Sequence, residues 1–562
     1  YWIYKAKQAG IYIYLDLLDY RRFKEGDGVV NAEAIGRAAR PYAVFDARLI
    51  ELQKEYARKL MRDHVNPYTG LAYADDPAIV MLEIYDESGL FMRRGVWRTM
   101  PEPYATHFKK LWNDWLKAKY KDTSTLINAW NMALQPGESL EAGTIELPAM
   151  TWTPNQLPPD QRVFAAASRR NEGALFAYDV HVRYFREMKS YLRGIGVKIP
   201  VCVTGRFEDL ADLKSMSAEL DFIGSNFYYD HPYWGTGLPA WKPPSYFHNL
   251  HPLRHVDEKS FAANVSLGRI KGKPYVIREW NYCWPNRNRG AGILEAAAYA
   301  ALHDIDALIL FVYETVPSPR VSYFNVRSDP TRWGLVGIGA QIYLKGLVRP
   351  ARNRVVIPYN NVDVFSYDRY DQMLYALGWT TRVENDFYDG KTYQAPDDVT
   401  LIVPPGRSAS GEYSGAPAVL YTRSLVRDLA GRTVFAPDYL ARYGLTLSPI
   451  DTALHYDGLL YDAGVVRARR DLALPLSLVQ GMGHRAIGIG ASADAVGGFV
   501  DAQNKRLVFG SLTSTEAMRA AIEAMRLFNR APNLRPQVAR GVYVSDTQEL
   551  KRDAMKATLA IE

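Results

Sequence analysis

Two glutamates stand where strands should end, and their placement is the first chemical feature of the chain. One closes the run Asp76-Pro77-Ala78-Ile79-Val80-Met81-Leu82-Glu83-Ile84-Tyr85-Asp86-Glu87, an apolar stretch that finishes in acids before the turn at Ser88-Gly89. The other closes Lys273-Pro274-Tyr275-Val276-Ile277-Arg278-Glu279-Trp280-Asn281. A pair of carboxylates can cleave a glycosidic bond: one protonates the leaving oxygen, and the other meets the charge developing at the anomeric carbon. At about 5–5.5 Å the second attacks directly and configuration is retained, whereas about 6.5–9.5 Å admits a water and inverts it. A single strand-end glutamate is more often a rim ion pair. Two on strands of one sheet, beside a third strand rich in aromatics, point to catalysis.

The elements that must position these acids are βα units. Strands are expected at Ile11–Leu18, Ala78–Asp86, Ile199–Thr204, Asp221–Tyr228, Pro274–Trp280 and Ala307–Tyr313. Most are apolar throughout, as in strands buried on both faces. Helical periodicity fills the intervals, for instance Asp46–Arg62, Tyr104–Lys119 and Gly173–Leu192. In a closed barrel of such units the C-terminal strand ends share one mouth, which brings Glu87 and Glu279 face to face.

These motifs resemble those of the clan A glycoside hydrolases, which include the family 5 cellulases and mannanases and the family 42 β-galactosidases. The segment Asp75–Ile84 with Asp86-Glu87 is similar to the clan's acid/base strand, and Lys273–Trp280 to its nucleophile strand. Asp221-Phe222-Ile223-Gly224-Ser225-Asn226-Phe227-Tyr228 resembles the strand between them. The resemblance covers about residues 1–350. It implies a (β/α)₈ TIM barrel, Glu87 as general acid/base, Glu279 as nucleophile, and Tyr228 as the tyrosine that hydrogen-bonds the nucleophile. A retaining hydrolysis of β-linked poly- or oligosaccharides follows, with no cofactor and no metal; the alternative is a catalytically degenerate carbohydrate-binding barrel.

The chain departs from the clan's pattern at several points. Asp86 replaces the usual Asn before the acid, so it accepts but cannot donate when ionised, and its charge should disfavour ionisation of Glu87. Asn226 stands where many family 5 members have His, and Tyr313-Glu314 where the clan often has a Trp platform. Asp86, Asn226, Tyr228, Tyr229, His231, Trp280, Tyr313 and Glu314 are therefore the expected substrate contacts. Tyr233, Trp234, Trp241, Tyr282 and Trp284 supply further rings for stacking on sugars, and Asp230 and His231 read either as contacts or as loop braces. Matched to the clan, Ile11–Leu18 is the third strand. The first two strands, with the clan's Arg on the second, are thus expected to be lacking from this chain.

The remaining sequence bounds the problem. At 562 residues the chain suggests about three domains: the barrel at 1–350, a flavodoxin-like α/β domain at 351–533 and the start of a β-sandwich at 534–562. By resemblance, the second domain implies homo-oligomer assembly. Lys and Arg number 68 against 61 Asp and Glu, and the +7 is scattered, which argues against a nucleic-acid partner. No apolar run approaches the roughly 18 residues of a membrane span, so no membrane partner is expected. The N-terminal Tyr1-Trp2-Ile3-Tyr4-Lys5 has neither Met nor a signal-peptide pattern, so the location cannot be read from it; a secreted or periplasmic protein is compatible with the sequence but not indicated by it. Cys202 and Cys283 allow at most one bridge. Gly481-Met-Gly483-His-Arg-Ala486 lacks the following helix that dinucleotide binding needs, and Asn264-Val-Ser266 is a bare glycosylation sequon.

Overall fold

The computed structural model describes residues 1–234, 240, 245–249, 260–314, 321–351, 354–366, 376–379, 381–389 and 392–395, and beyond these the strands between 400 and 560. The first part is a parallel α/β assembly. Its strands are β1 (Ile13–Asp16), β2 (Ile79–Glu83), β3 (Val201–Cys202), β4 (Thr204–Gly205), β5 (Ile223–Tyr229), β6 (Tyr275–Tyr282) and β7 (Ala307–Leu310). β3 and β4 are two halves of one expected strand, interrupted at Val203. They join the sheets β1-β2-β3 and β4-β5-β6-β7, so each strand neighbours the next in sequence. All six expected strands are present in that order. β1 and β7 are the outer strands, and every residue of both is only half-buried, whereas β5 and β6 are buried almost throughout.

Side chains on the concave face form tiers. Cys202, Phe222 and Val276 pack with Tyr14, Met81, Ala307 and Ile309 at the bottom. Above them lies a charged tier of Asp16, Glu83, Thr204 and Arg278. Helices cover the convex face. Ala47–Arg58 is started by Asp46, whose carboxylate accepts from Leu49 N at 3.0 Å, and Leu210–Glu219 by Asp209. Such caps satisfy the free N–H groups of a first turn. Pro330–Leu344 starts on Asp329, which also binds Arg289 at 2.5 Å and Arg332 at 2.7 Å. Burial would raise the Asp329 carboxyl, but those two guanidiniums hold it below the ordinary carboxylate range. Fully buried Arg332 passes the anchorage on to Asn281 of β6 at 2.9 Å.

A second parallel sheet follows, built from Arg354–Tyr359, Arg382–Phe387, Thr400–Val403 and Ala418–Leu420. Its spatial order, taking those strands as first to fourth, is 2-1-3-4. It meets the first assembly through polar contacts: Lys271 with Asp386 at 2.6 Å, Arg382 with Asp304 at 2.7 Å, and Asn385 Nδ2 donating to Leu267 O at 2.6 Å. Further on, Arg506–Phe509 pairs antiparallel with both Val496–Asp501 and Ala557–Ala560. Both cysteines are free and buried. Asn264 of the sequon is buried in the helix Phe261–Ser266, with its amide donating to Ser260 O.

Glu295 supplies a test of this packing. It is buried under β6, accepts from the Tyr282 hydroxyl at 2.6 Å, and burial pushes its carboxyl up to about 7 from 4.5. A raised carboxyl contributes stability that is fully present below about 4.5 and is lost as pH rises through about 7. Glu295→Gln keeps the acceptor and removes the charge. Urea unfolding should therefore show equal stabilities at pH 4 and an advantage for the variant at pH 8 of up to about 3 kcal/mol.

Candidate active site

The site begins with an irregularity in β6. Ser225 pairs with Ile277 and Asn226 with Glu279, so Arg278 is an extra residue in the ladder, and the β6–β7 register slips across the same span. Strand side chains normally alternate between faces, and a bulge breaks the alternation. As a result Arg278 and Glu279 both turn to the concave face. Arg278 forms ion pairs with Asp16, with Glu83 at 2.7 Å, with Asp86 at 3.3 Å and with Glu279. Burial pushes the Glu83 carboxyl well up, against the pull of Arg278. Burial alone would lower the Arg278 guanidinium, yet Glu83, Asp16 and Asp86 hold it above its usual value.

Glu279 accepts a hydrogen bond from the Tyr228 hydroxyl. Burial and the negative charge of Glu87 push the Tyr228 phenol well above 10. One hydroxyl thus bonds one glutamate and feels the charge of the other. Asn226 makes a further link, its amide donating to Glu87 at 3.1 Å and reaching Asp86 at 3.4 Å. Glu87 itself has φ +43°, a left-handed backbone that a residue without special cause avoids at a cost of roughly 1–3 kcal/mol. That turn lets the adjacent Asp86 and Glu87 both face Asn226.

The charge of Asp86 is taken up by cations. Arg40 binds it at 2.6 Å and reaches Asp19 at 3.3 Å, while its Nε donates to Ser88 at 3.1 Å. Arg40 and Arg93 also stand 4.0 and 3.7 Å from the Glu87 carboxylate. The repulsion expected between Asp86 and Glu87 is therefore set within a ring of guanidiniums. Arg40, Arg93 and Arg278 escaped the sequence reading. The one available signal was a charged residue inside an otherwise apolar strand, at Arg278.

The expected sugar contacts divide into two groups. Asp86, Asn226 and Tyr228 share the mouth with the two glutamates. His231 lies beside them, its ring edge-on to Tyr228 at 5.7 Å and its Nδ1 2.7 Å from Pro232 O. Phe324, not anticipated, packs 5.1 Å from Tyr228. Tyr229 and Trp280 do not belong to this group. Both are buried on the convex face, Tyr229 stacked on Tyr282 at 4.8 Å and Trp280 against Phe261 at 6.2 Å. Each immediately follows an inward residue, so strand alternation turns it outward. Tyr282 is likewise buried against Glu295. Tyr313 is exposed and packs on Trp333, and Glu314 pairs with Arg327 at 2.7 Å. Asp230 acts as a brace, accepting from His248 N, Asn249 N and Asn286 Nδ2, each at 2.8 Å. Tyr233 stacks on Tyr246, Trp234 lies edge-on to Tyr323, and Trp284 approaches Tyr323. Trp241 lies outside the described residues. Among the described residues there is no cluster suited to a metal ion, and no helix is long and apolar enough to cross a membrane.

Comparison with known proteins bears on this arrangement. Residues 46–320 match the model of glycoside hydrolase family 42, described as beta-galactosidase. The resemblance to the clan A glycoside hydrolases stands. The matched stretch contains Glu87, Asn226, Tyr228 and Glu279. No curated protein matches the chain by sequence. Similar solved structures include the β-galactosidase of the Antarctic haloarchaeon Halorubrum lacusprofundi, at 15% identity and TM-score 0.41, covering 64% of this chain and 56% of that one. The β-galactosidase of Rahnella sp. R3 has 15% identity and TM-score 0.46, with 73% of this chain and 61% of that one covered. The family 42 exo-carrageenase of Bacteroides ovatus has 10% identity and TM-score 0.43, with 98% and 75% covered. The chain thus spans about six tenths of the length of the two β-galactosidases.

Arg278→Met should leave Asp16, Glu83 and Asp86 facing one another without their shared cation. Breaking a buried ion pair from one side costs about 3–5 kcal/mol. Denaturant unfolding should show a loss of that order at pH 8 and a smaller one at pH 4, where Glu83, whose carboxyl burial pushes up, is protonated.

Proposed function

We propose that the protein is a retaining glycoside hydrolase acting on β-linked oligo- or polysaccharides. Glu279, held by Tyr228 and Arg278, attacks the anomeric carbon and forms a glycosyl ester. Glu87 gives its proton to the departing oxygen and then, as a carboxylate, takes a proton from the water that hydrolyses the ester. Donor and acceptor roles thus alternate on one carboxyl, as two-step retention requires. Asn226 keeps Glu87 oriented, and Asp86 steadies Arg40 and Arg278.

The observation that carries this reading is the position of the Tyr228 hydroxyl, bonded to Glu279 and within the field of Glu87. The family 42 match over 46–320 supports the same chemistry. The phenol has a second effect: as a donor to Glu279 it stabilises the attacking carboxylate until the glycosyl bond forms.

The test uses p-nitrophenyl β-glycosides. Glu279→Ala should lose at least about 10³-fold in kcat, by analogy with the loss of other covalent nucleophiles. Glu87→Ala should lose less on this activated leaving group than on a natural disaccharide, because nitrophenolate departs without a proton. Proton NMR of the first-formed sugar should show the β-anomer. An α-anomer first, or unchanged turnover in both variants, would contradict the proposal.

A further inference from the structure

Two guanidiniums beside the Asp86-Glu87 pair are not used up by the ion pairs around them. Arg40 is saturated: it is nearly buried and bound to Asp86, Asp19 and Ser88. Arg37 is different. Its side chain is one-third exposed, and its nearest carboxylates are Asp19 at 3.6 Å and Asp86 at 3.9 Å. It lies 4.0 Å over the ring of Tyr20, which holds the guanidinium plane without occupying its N–H groups. Arg93, also about one-third exposed, donates only its Nε, to Glu87 O at 3.2 Å, and its Nη2 stands 3.7 Å from the Glu87 carboxylate. Burial and the nearby charges of Arg40 and Arg37 hold the Arg93 guanidinium below its ordinary value, against the pull of Glu87.

Crowding of like charge has to be compensated. Around this edge of the mouth the carboxylates are Asp19, Asp86 and Glu87, and Asp86 is shared with Arg278. Burial and the charge of Asp86 raise Asp19 to about 6, despite Arg37, Arg278 and Arg40. Once Glu87 carries the proton that its acid role requires, three guanidiniums face two carboxylates. The free N–H groups of Arg93, 3.7 Å from the Glu87 carboxylate, and of Arg37, 3.9 Å from the adjacent Asp86, are then open to a further anion. Planar guanidinium forks bind carboxylate and sulfate-type oxyanions through paired N–H···O bonds.

We infer that the sugar bound beside Glu87 carries an anionic substituent, a sulfate ester or a carboxylate, received by Arg37 and Arg93. This rests on the glycosidase reading and narrows its substrate class. The chemistry common to both groups is a multi-oxygen anion presented to two guanidiniums each about one-third exposed, one of them fixed on Tyr20.

The test separates this inference from the mechanism by measuring binding without turnover. Calorimetry on the Glu279→Gln chain would compare p-nitrophenyl β-galactoside with its 6-sulfate and with p-nitrophenyl β-galacturonide, at low salt and at 0.5 M NaCl. The expected result is that at least one anionic glycoside binds tenfold or more tighter than the neutral one, with the advantage shrinking in salt. Whichever does so identifies the group as sulfate or carboxylate. In Arg37→Met/Arg93→Met the ratio should fall to about twofold or less, whereas Arg37→Lys/Arg93→Lys, which keeps the charges, should hold it above that. A ratio near one in the parent chain, no binding of either anionic glycoside, or a ratio unchanged in the Met pair would overturn the inference. Failure of the unmodified chain to hydrolyse any of the three glycosides would count against the glycosidase reading alone.

Discussion

A single guanidinium in the middle of a parallel sheet holds the site together. Arg278 stands among Asp16 of β1, Glu83 of β2, Asp86 just beyond β2, and its own neighbour Glu279 on β6. Without a cation these carboxylates could not share so crowded and largely buried a space, because the desolvation of each is costly and their mutual repulsion adds to it. The bulge in β6 makes the arrangement available. By inserting one residue it turns both Arg278 and Glu279 inward, so one strand contributes a nucleophile candidate and the cation paired with it.

From that centre the constraints spread outward. Asp86 is held on one side by Arg278 and on the other by Arg40, which fixes the chain immediately before Glu87. Glu87 then takes a left-handed backbone and meets Asn226. Tyr228 closes the circuit at Glu279. Two residues after Glu279, Asn281 is tied to Phe324 O and, through Arg332, to Asp329 at the start of the helix Pro330–Leu344. The carboxyls are thus anchored from the sheet side and the helix side at once, which is the preorganisation that the proposed two-step displacement needs.

Much of this was legible in the residues. The six apolar runs and the acids at their ends follow from period, composition and strand-end logic, because buried parallel strands leave little room for anything else, whereas Asn226 and Tyr228 were expected there from the resemblance to the clan A glycoside hydrolases. Alternation explains what was misplaced: Tyr229 and Trp280 are aromatic and next to inward residues, and for that reason face the helices. Arg278 was hidden because a bulge is a change of register with no composition of its own. The cations around Glu87 were hidden for a different cause. Arg37, Arg40 and Arg93 come from loops whose course depends on tertiary packing, and nothing in their local spacing ties them to residue 87.

The central claim is that Glu279 forms a covalent bond to the sugar. The most direct measurement is intact-mass and peptide mass spectrometry after incubation with an activated 2-deoxy-2-fluoro-β-glycoside, which slows the second step and lets the ester accumulate. The account predicts one added glycosyl group per chain, located on the peptide containing Glu279 and absent in Glu279→Gln. Labelling at Asp86, Glu87 or Glu314 instead, or hydrolysis of the parent glycoside with no adduct at Glu279, would contradict it.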